Sequence, residues 1–144
     1  MALKVELKPG ERIILGDCVV TNADQRTRLL IEGETPILRE KDIMTAERAN
    51  TPAKRIYLSV QLMYTSGDPR PQHEIYFSLV RDILGAAPSV WPHIENINNL
   101  ILTGQMYKAL KEAKKLIVYE QELLDHASRG ECLRSGGDAD SKPA

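Results

Sequence analysis

The chain has 144 residues, 42% of them hydrophobic and 27% charged, with a net charge of −1. That length suits one domain or two small modules sharing a core, and the composition is that of an ordinary globular protein. The near-neutral balance argues against nucleic-acid binding by bulk electrostatics, and no apolar run approaches the ~20 residues that span a bilayer.

Residues 3–43 alternate like strands. Leu3, Val5 and Leu7 fall on one side while Lys4, Glu6 and Lys8 fall on the other, the period-2 pattern of a half-buried strand. Pro9-Gly10 breaks the run, residues 12–15 resume it, and Gly16-Asp17 breaks it again. Residues 18–21, 26–32 and 36–39 read as further strands, separated by Asn22-Ala23-Asp24 and by Gly33-Glu34. About five short strands with tight connections predict a small antiparallel sheet or partly closed barrel over residues 2–43. No aromatic residue precedes Tyr57, so this module has no stacking platform of its own.

From Met44 the apolar period changes to that of helices. Thr51-Pro52 is an N-cap followed by a first-turn proline, and the apolar stripe of Ile56, Val60 and Met63 ends at Ser66-Gly67. Helices are predicted near residues 52–66, 71–86, 89–103 and 105–126, with Ser89 capping the third and Gly104 stopping it. Residues 128–144 have almost no apolar content and read as a disordered tail. The predicted architecture is α+β: a small N-terminal antiparallel β module, 2–43, followed by a four-helix array, 44–127.

Chemistry-bearing motifs are absent. Cys18 and Cys132 are the only cysteines, and His73, His93 and His126 stand apart without metal-ligand spacing. No nucleophile elbow, phosphate-binding loop or dinucleotide motif occurs, so no catalytic residue, cofactor or metal is expected. The N-terminus has no charged-then-apolar secretory pattern, which makes the cytoplasm the expected compartment. Trp91, between apolar neighbours near a helix start, is expected in the core or at a subunit interface.

The opening run, QRTRLLIEG (25–33), ILREKDIM (37–44), TPAKRIYL (51–58) and YKALKEAKKLI (107–117) together resemble FlbT, a family of flagellum-biosynthesis repressors. The resemblance spans about residues 3–124. It implies post-transcriptional repression: association with the 5′ untranslated region of a flagellin mRNA and promotion of its decay. The first module is also similar to the carbon-storage-regulator family of small mRNA-binding β proteins. There a basic residue before a Gly-Glu turn and an arginine on the last strand grip a GGA-containing loop, and the matching positions are Lys8 and Arg39. Leu7 and Leu38 stand where that family has a second arginine and a histidine.

Two basic surfaces are therefore candidates for RNA contact. One is Lys8, Arg26, Arg28, Arg39 and Lys41 on the β module. The other is the polar face of the last helix, where ~100° per residue gathers Lys108, Lys111, Lys114 and Lys115 with Tyr107, opposite an apolar face of Ala109, Leu110, Ala113 and Leu116. The plain alternative is a solvated face. A rival class of function is a protein-interaction adaptor that binds flagellin or a flagellar assembly factor, with an indirect effect on the transcript; another flagellar regulator is also an expected partner. Short edge strands in so small a module point to a homo-oligomer, and no membrane association is expected.

Overall fold

The computed structural model describes residues 2–137 apart from Asp17, with side chains described as far as residue 128. Five strands come first: β1 (Ala2–Leu7), β2 (Arg12–Leu15), β3 (Cys18–Thr21), β4 (Thr27–Glu32) and β5 (Ile37–Arg39). All pairings are antiparallel. The strands form two sheets rather than one, β1 with β4 and the order β3-β2-β5. Alternation marks a strand but is silent on its partner, and here β1 skips the β2–β3 hairpin to reach β4. Asn22 holds that crossing. Its amide donates to the carbonyls of Leu7 (3.0 Å), Lys8 (3.0 Å) and Gln25 (2.7 Å), tying the end of β1 to the start of β4.

Register decides what each face touches. Val5 lies opposite Leu29, Ile13 opposite Val20, and Leu15 opposite Ile37. The facing sides of the two sheets close a small core in which Val5, Leu7 and Ile13 are buried. Ile14 and Leu38, also opposite each other, point the other way and join the core of the helices. The middle sheet is thus covered on both sides along β2 and β5, which suits its β-branched, apolar composition.

The helices are α1 (Pro52–Ser66), α2 (His73–Ala86), α3 (Trp91–Leu102) and α4 (Met106–Gly137). Thr51 caps α1 as its sequence predicts, its side chain accepting from the Lys54 N–H at 3.2 Å, and Gly67 ends it at φ 79°. A second cap comes from far along the chain. The buried carboxylate of Glu120 accepts from the Ala53 N–H at 3.0 Å, offsetting its own desolvation at a helix end that favours negative charge. Ile56, Val60 and Met63 of α1 pack with Ile94 and Ile97 of α3 and with Ala109, Ala113 and Leu116 of α4 in one core. The two fully buried alanines are small enough to let α4 approach its neighbours closely beside the bulkier Leu110 and Leu116.

Several boundaries differ from expectation. A single 3₁₀ turn, Arg70–Gln72, precedes α2, and another, Pro88–Val90, precedes α3. Ser89 therefore lies before α3 and makes no cap; its Oγ accepts from the Tyr119 hydroxyl at 2.8 Å. Trp91 is 46% exposed and is no core residue. The last helix continues to Gly137 rather than ending at 126, because 127–135 contains no proline and only a lone glycine. The rest of the expected tail, 138–144, lies outside the described residues.

Leu38 belongs to a strand yet is buried in the helical core. Leu38→Ala should cost about 2–5 kcal/mol, as large-to-small core changes do. Urea unfolding followed by strand-sensitive and helix-sensitive probes should show both moving to the same lower midpoint; separate transitions would mean that the layers fold independently.

Candidate nucleic-acid interface

The segment after β5 is a single 3₁₀ turn, Glu40–Asp42, and it is tied to three elements. The Glu40 carboxylate accepts from the Arg12 backbone N–H of β2 at 2.7 Å. The Tyr57 hydroxyl of α1 donates to the Asp42 carbonyl at 2.5 Å, and the Asp42 carboxylate pairs with Lys114 of α4. Burial, reinforced by the nearby Asp42 charge, pushes the Tyr57 phenol well above its ordinary pKa, so it remains a neutral donor. Arg39 and Lys41, flanking and within this turn, are both exposed.

Arg39 and Lys41 line a cavity of about 390 Å³ together with Leu3, Thr35, Ile37, Asp42, Tyr64 and Tyr107. Tyr64 comes from α1 and Tyr107 from the first turn of α4. The Tyr64 hydroxyl accepts from the Ile37 N–H at 3.3 Å and donates to the Ile37 carbonyl at 3.2 Å. It thereby satisfies the backbone of an edge strand that has no further strand beside it. The two tyrosine rings lie 5.8 Å apart at 44°, and the Lys111 ammonium sits 5.1 Å from the centre of the Tyr107 ring. Lys108 lines an adjoining cavity of about 680 Å³ that shares both tyrosines.

The structure divides the sequence candidates differently from the sheet-against-helix choice. Arg39 and Lys41 from the β module meet Lys108 and Lys111 from α4 around one tyrosine pair. Lys114 is close by, but its ammonium is held by Asp42. Lys115 instead lies 3.7 Å from Glu112, whose other oxygen is 3.5 Å from His93 of α3. Arg26 pairs with Glu6 at 3.4 Å, and Arg28 lies opposite Glu6 across the β1–β4 ladder. Lys8 occupies the exposed β1–β2 connection, its N–H bound to the Glu11 side chain at 2.8 Å. Lys8, Arg26 and Arg28 do not line the Arg39 cavity.

Sequence reasoning missed Tyr64. Its signal is the seven-residue spacing from Tyr57, which puts both phenols on one face of α1, where Tyr64 reaches the start of β5 and Tyr57 the turn that follows it. The β module does lack aromatics of its own, but the helices deliver two to its edge. Guanidinium and ammonium groups around aromatic faces can hold phosphates and stack bases together. Among the described residues no cluster of three or more His, Cys, Asp or Glu could hold a metal, and no helix is long and apolar enough to cross a membrane.

Comparison with known proteins identifies relatives over most of the chain. Residues 3–124 match the family model described as flagellar protein FlbT. The chain is 68% identical over 124 residues to a probable flagellum biosynthesis repressor protein FlbT 1 of Bradyrhizobium diazoefficiens, covering 85% of each. It is 53% identical over 124 residues to a probable flagellum biosynthesis repressor protein FlbT of Rhodopseudomonas palustris, covering 86% of this chain and 98% of the relative. The flagellum biosynthesis repressor protein FlbT of Caulobacter vibrioides is 37% identical over 142 residues, or 96% of this chain and 99% of its own. No solved structure matches the chain.

Tyr64→Phe keeps the ring but strips the edge strand of both hydroxyl bonds. It should lower stability by about 1–3 kcal/mol, the cost of leaving part-buried backbone groups unpaired. Amide exchange should quicken at Ile37 in particular; unchanged protection there would show that the hydroxyl does not hold the strand.

Proposed function

The chain belongs to the FlbT family, and from that premise we propose that it represses flagellin synthesis by binding the 5′ untranslated region of a flagellin mRNA and promoting its degradation. The observation that supports this reading is the convergence of Arg39, Lys41, Lys108 and Lys111 on Tyr64 and Tyr107 at the seam between sheet and helices. A local cluster of this kind binds RNA despite a net charge of −1, because phosphate contacts depend on where the cations sit. Arginine at the strand end suits phosphate or guanine through its bidentate fork. The protein carries no catalysis in this scheme: it acts in the cytoplasm on the transcript, whose cleavage falls to cellular nucleases.

A second reading, an adaptor for flagellin or a flagellar assembly factor, draws on the exposed Phe77 and Trp91, large apolar side chains that core packing does not use. Self-association belongs with either reading, since the short edge strands of the β module offer pairing groups to a second copy. Sedimentation at tens of micromolar should then show more than a monomer.

Titration of the purified chain with leader RNA at several salt concentrations separates the two readings. Binding should weaken with salt. Arg39→Ala should lose ~1–3 kcal/mol if it contacts a base, and Lys108→Ala and Lys111→Ala should each reduce the salt slope by about one. Arg26→Ala and Lys115→Ala should bind as the wild type does. Absence of binding at micromolar protein would move the adaptor to the front.

A further inference from the structure

The cavity of about 680 Å³ behind the tyrosine pair has a lining that phosphate binding does not use. Ile101, Leu102 and Met106 give it an apolar lining over the buried Met63, while Tyr64 and Tyr107 are common to it and the Arg39 cavity. Leu102 is 82% exposed, so an apolar side chain stands in water beside a cationic cleft. Lys108 is on the wall of this second cavity and Lys41 on the wall of the first, so each cavity brings charge to the shared tyrosines.

Resting on the transcript-binding reading, we infer that the two cavities form one site for unpaired RNA, in which the sugar-phosphate strand crosses Arg39 and Lys41 while a base turns past Tyr107 into the apolar chamber. A duplex cannot use such a site. Its bases are stacked inside the helix, and its phosphates alone would meet the cations, leaving the apolar surface against water. An unpaired nucleotide has a charged side and a flat apolar side, and the two cavities offer surfaces suited to each. The volume lies within the range of pockets that enclose small organic groups. The site thus selects loops or single strands within a leader, and it adds affinity through stacking that salt does not screen.

The test uses the full chain and a labelled single-stranded fragment of the leader, compared with the same fragment annealed to its complement. The single strand should bind at least about tenfold more tightly than the duplex. Tyr107→Ala should weaken single-strand binding by about 5- to 150-fold, the range for loss of one stacked base, with the salt slope unchanged because no charge is removed. Tyr107→Phe should retain binding. Leu102→Glu, at a position exposed enough to leave folding intact, should weaken it by placing a carboxylate at the chamber mouth. Equal affinity for duplex and single strand overturns the inference. So does wild-type binding by both Tyr107→Ala and Leu102→Glu while Arg39→Ala is weak; the cleft is then a phosphate track, the transcript reading survives, and the apolar chamber belongs to a protein side chain. If no RNA binds at any salt concentration, both readings fail together.

Discussion

The pairing of Ile14 with Leu38 is the contact on which the arrangement depends. Their strand neighbours Ile13, Leu15 and Ile37 face the β1–β4 layer, while this pair faces the helices. Because side chains alternate along a strand, a shift of one residue would exchange the two sets and put each against the wrong layer. The register therefore fixes more than one sheet. It also fixes where β5 ends relative to α1 and α4, and with that the place of Arg39.

The turn after β5 converts this packing into a surface. The partners of Glu40 and Asp42, which are Arg12, Tyr57 and Lys114, lie on three different elements, so the backbone around Lys41 is held from several sides. The Lys114–Asp42 pair is partly exposed on the lysine side, and such pairs contribute at most about 1 kcal/mol. Its larger effect is on charge placement. It neutralises the carboxylate in the cleft wall and removes one lysine from the pool available to a ligand.

Much of the fold was legible in the sequence because its signals are local. Alternation marked the five strands, Thr51-Pro52 marked the start of α1, and Gly67 and Gly104 marked helix ends through their left-handed backbones, at φ 79° and 77°. What was not legible depends on contacts between distant residues. The split into two sheets turns on Asn22 binding Leu7, and Ser89 serves Tyr119 instead of a cap because α4 passes beside it. The basic candidates show the same limit. Helical periodicity treats Lys108, Lys111, Lys114 and Lys115 as equivalent, yet Asp42, 72 residues away, singles out Lys114. Likewise the candidates on the β module looked like one patch until strand pairing set Arg26 and Arg28 beside Glu6 and left Arg39 at the helical seam.

Glu120 reaches back across 67 residues to the start of α1. A chain made from its N-terminus exposes the Ala53 amide to water long before that carboxylate has been synthesised. Thr51 is present from the outset and can secure the Lys54 amide at once, but the first turn of α1 is completed only when the last helix has emerged as far as Glu120. The strands of the first module have all their pairing partners by residue 39. Their contacts close short loops, which form quickly, whereas the α1–α4 contact closes a long one. Vectorial synthesis thus presents a sheet with its inner core available early and its second face, Ile14 and Leu38, waiting for helices. The last helix is the part whose arrival seals the molecule and, with Tyr107, completes the cleft.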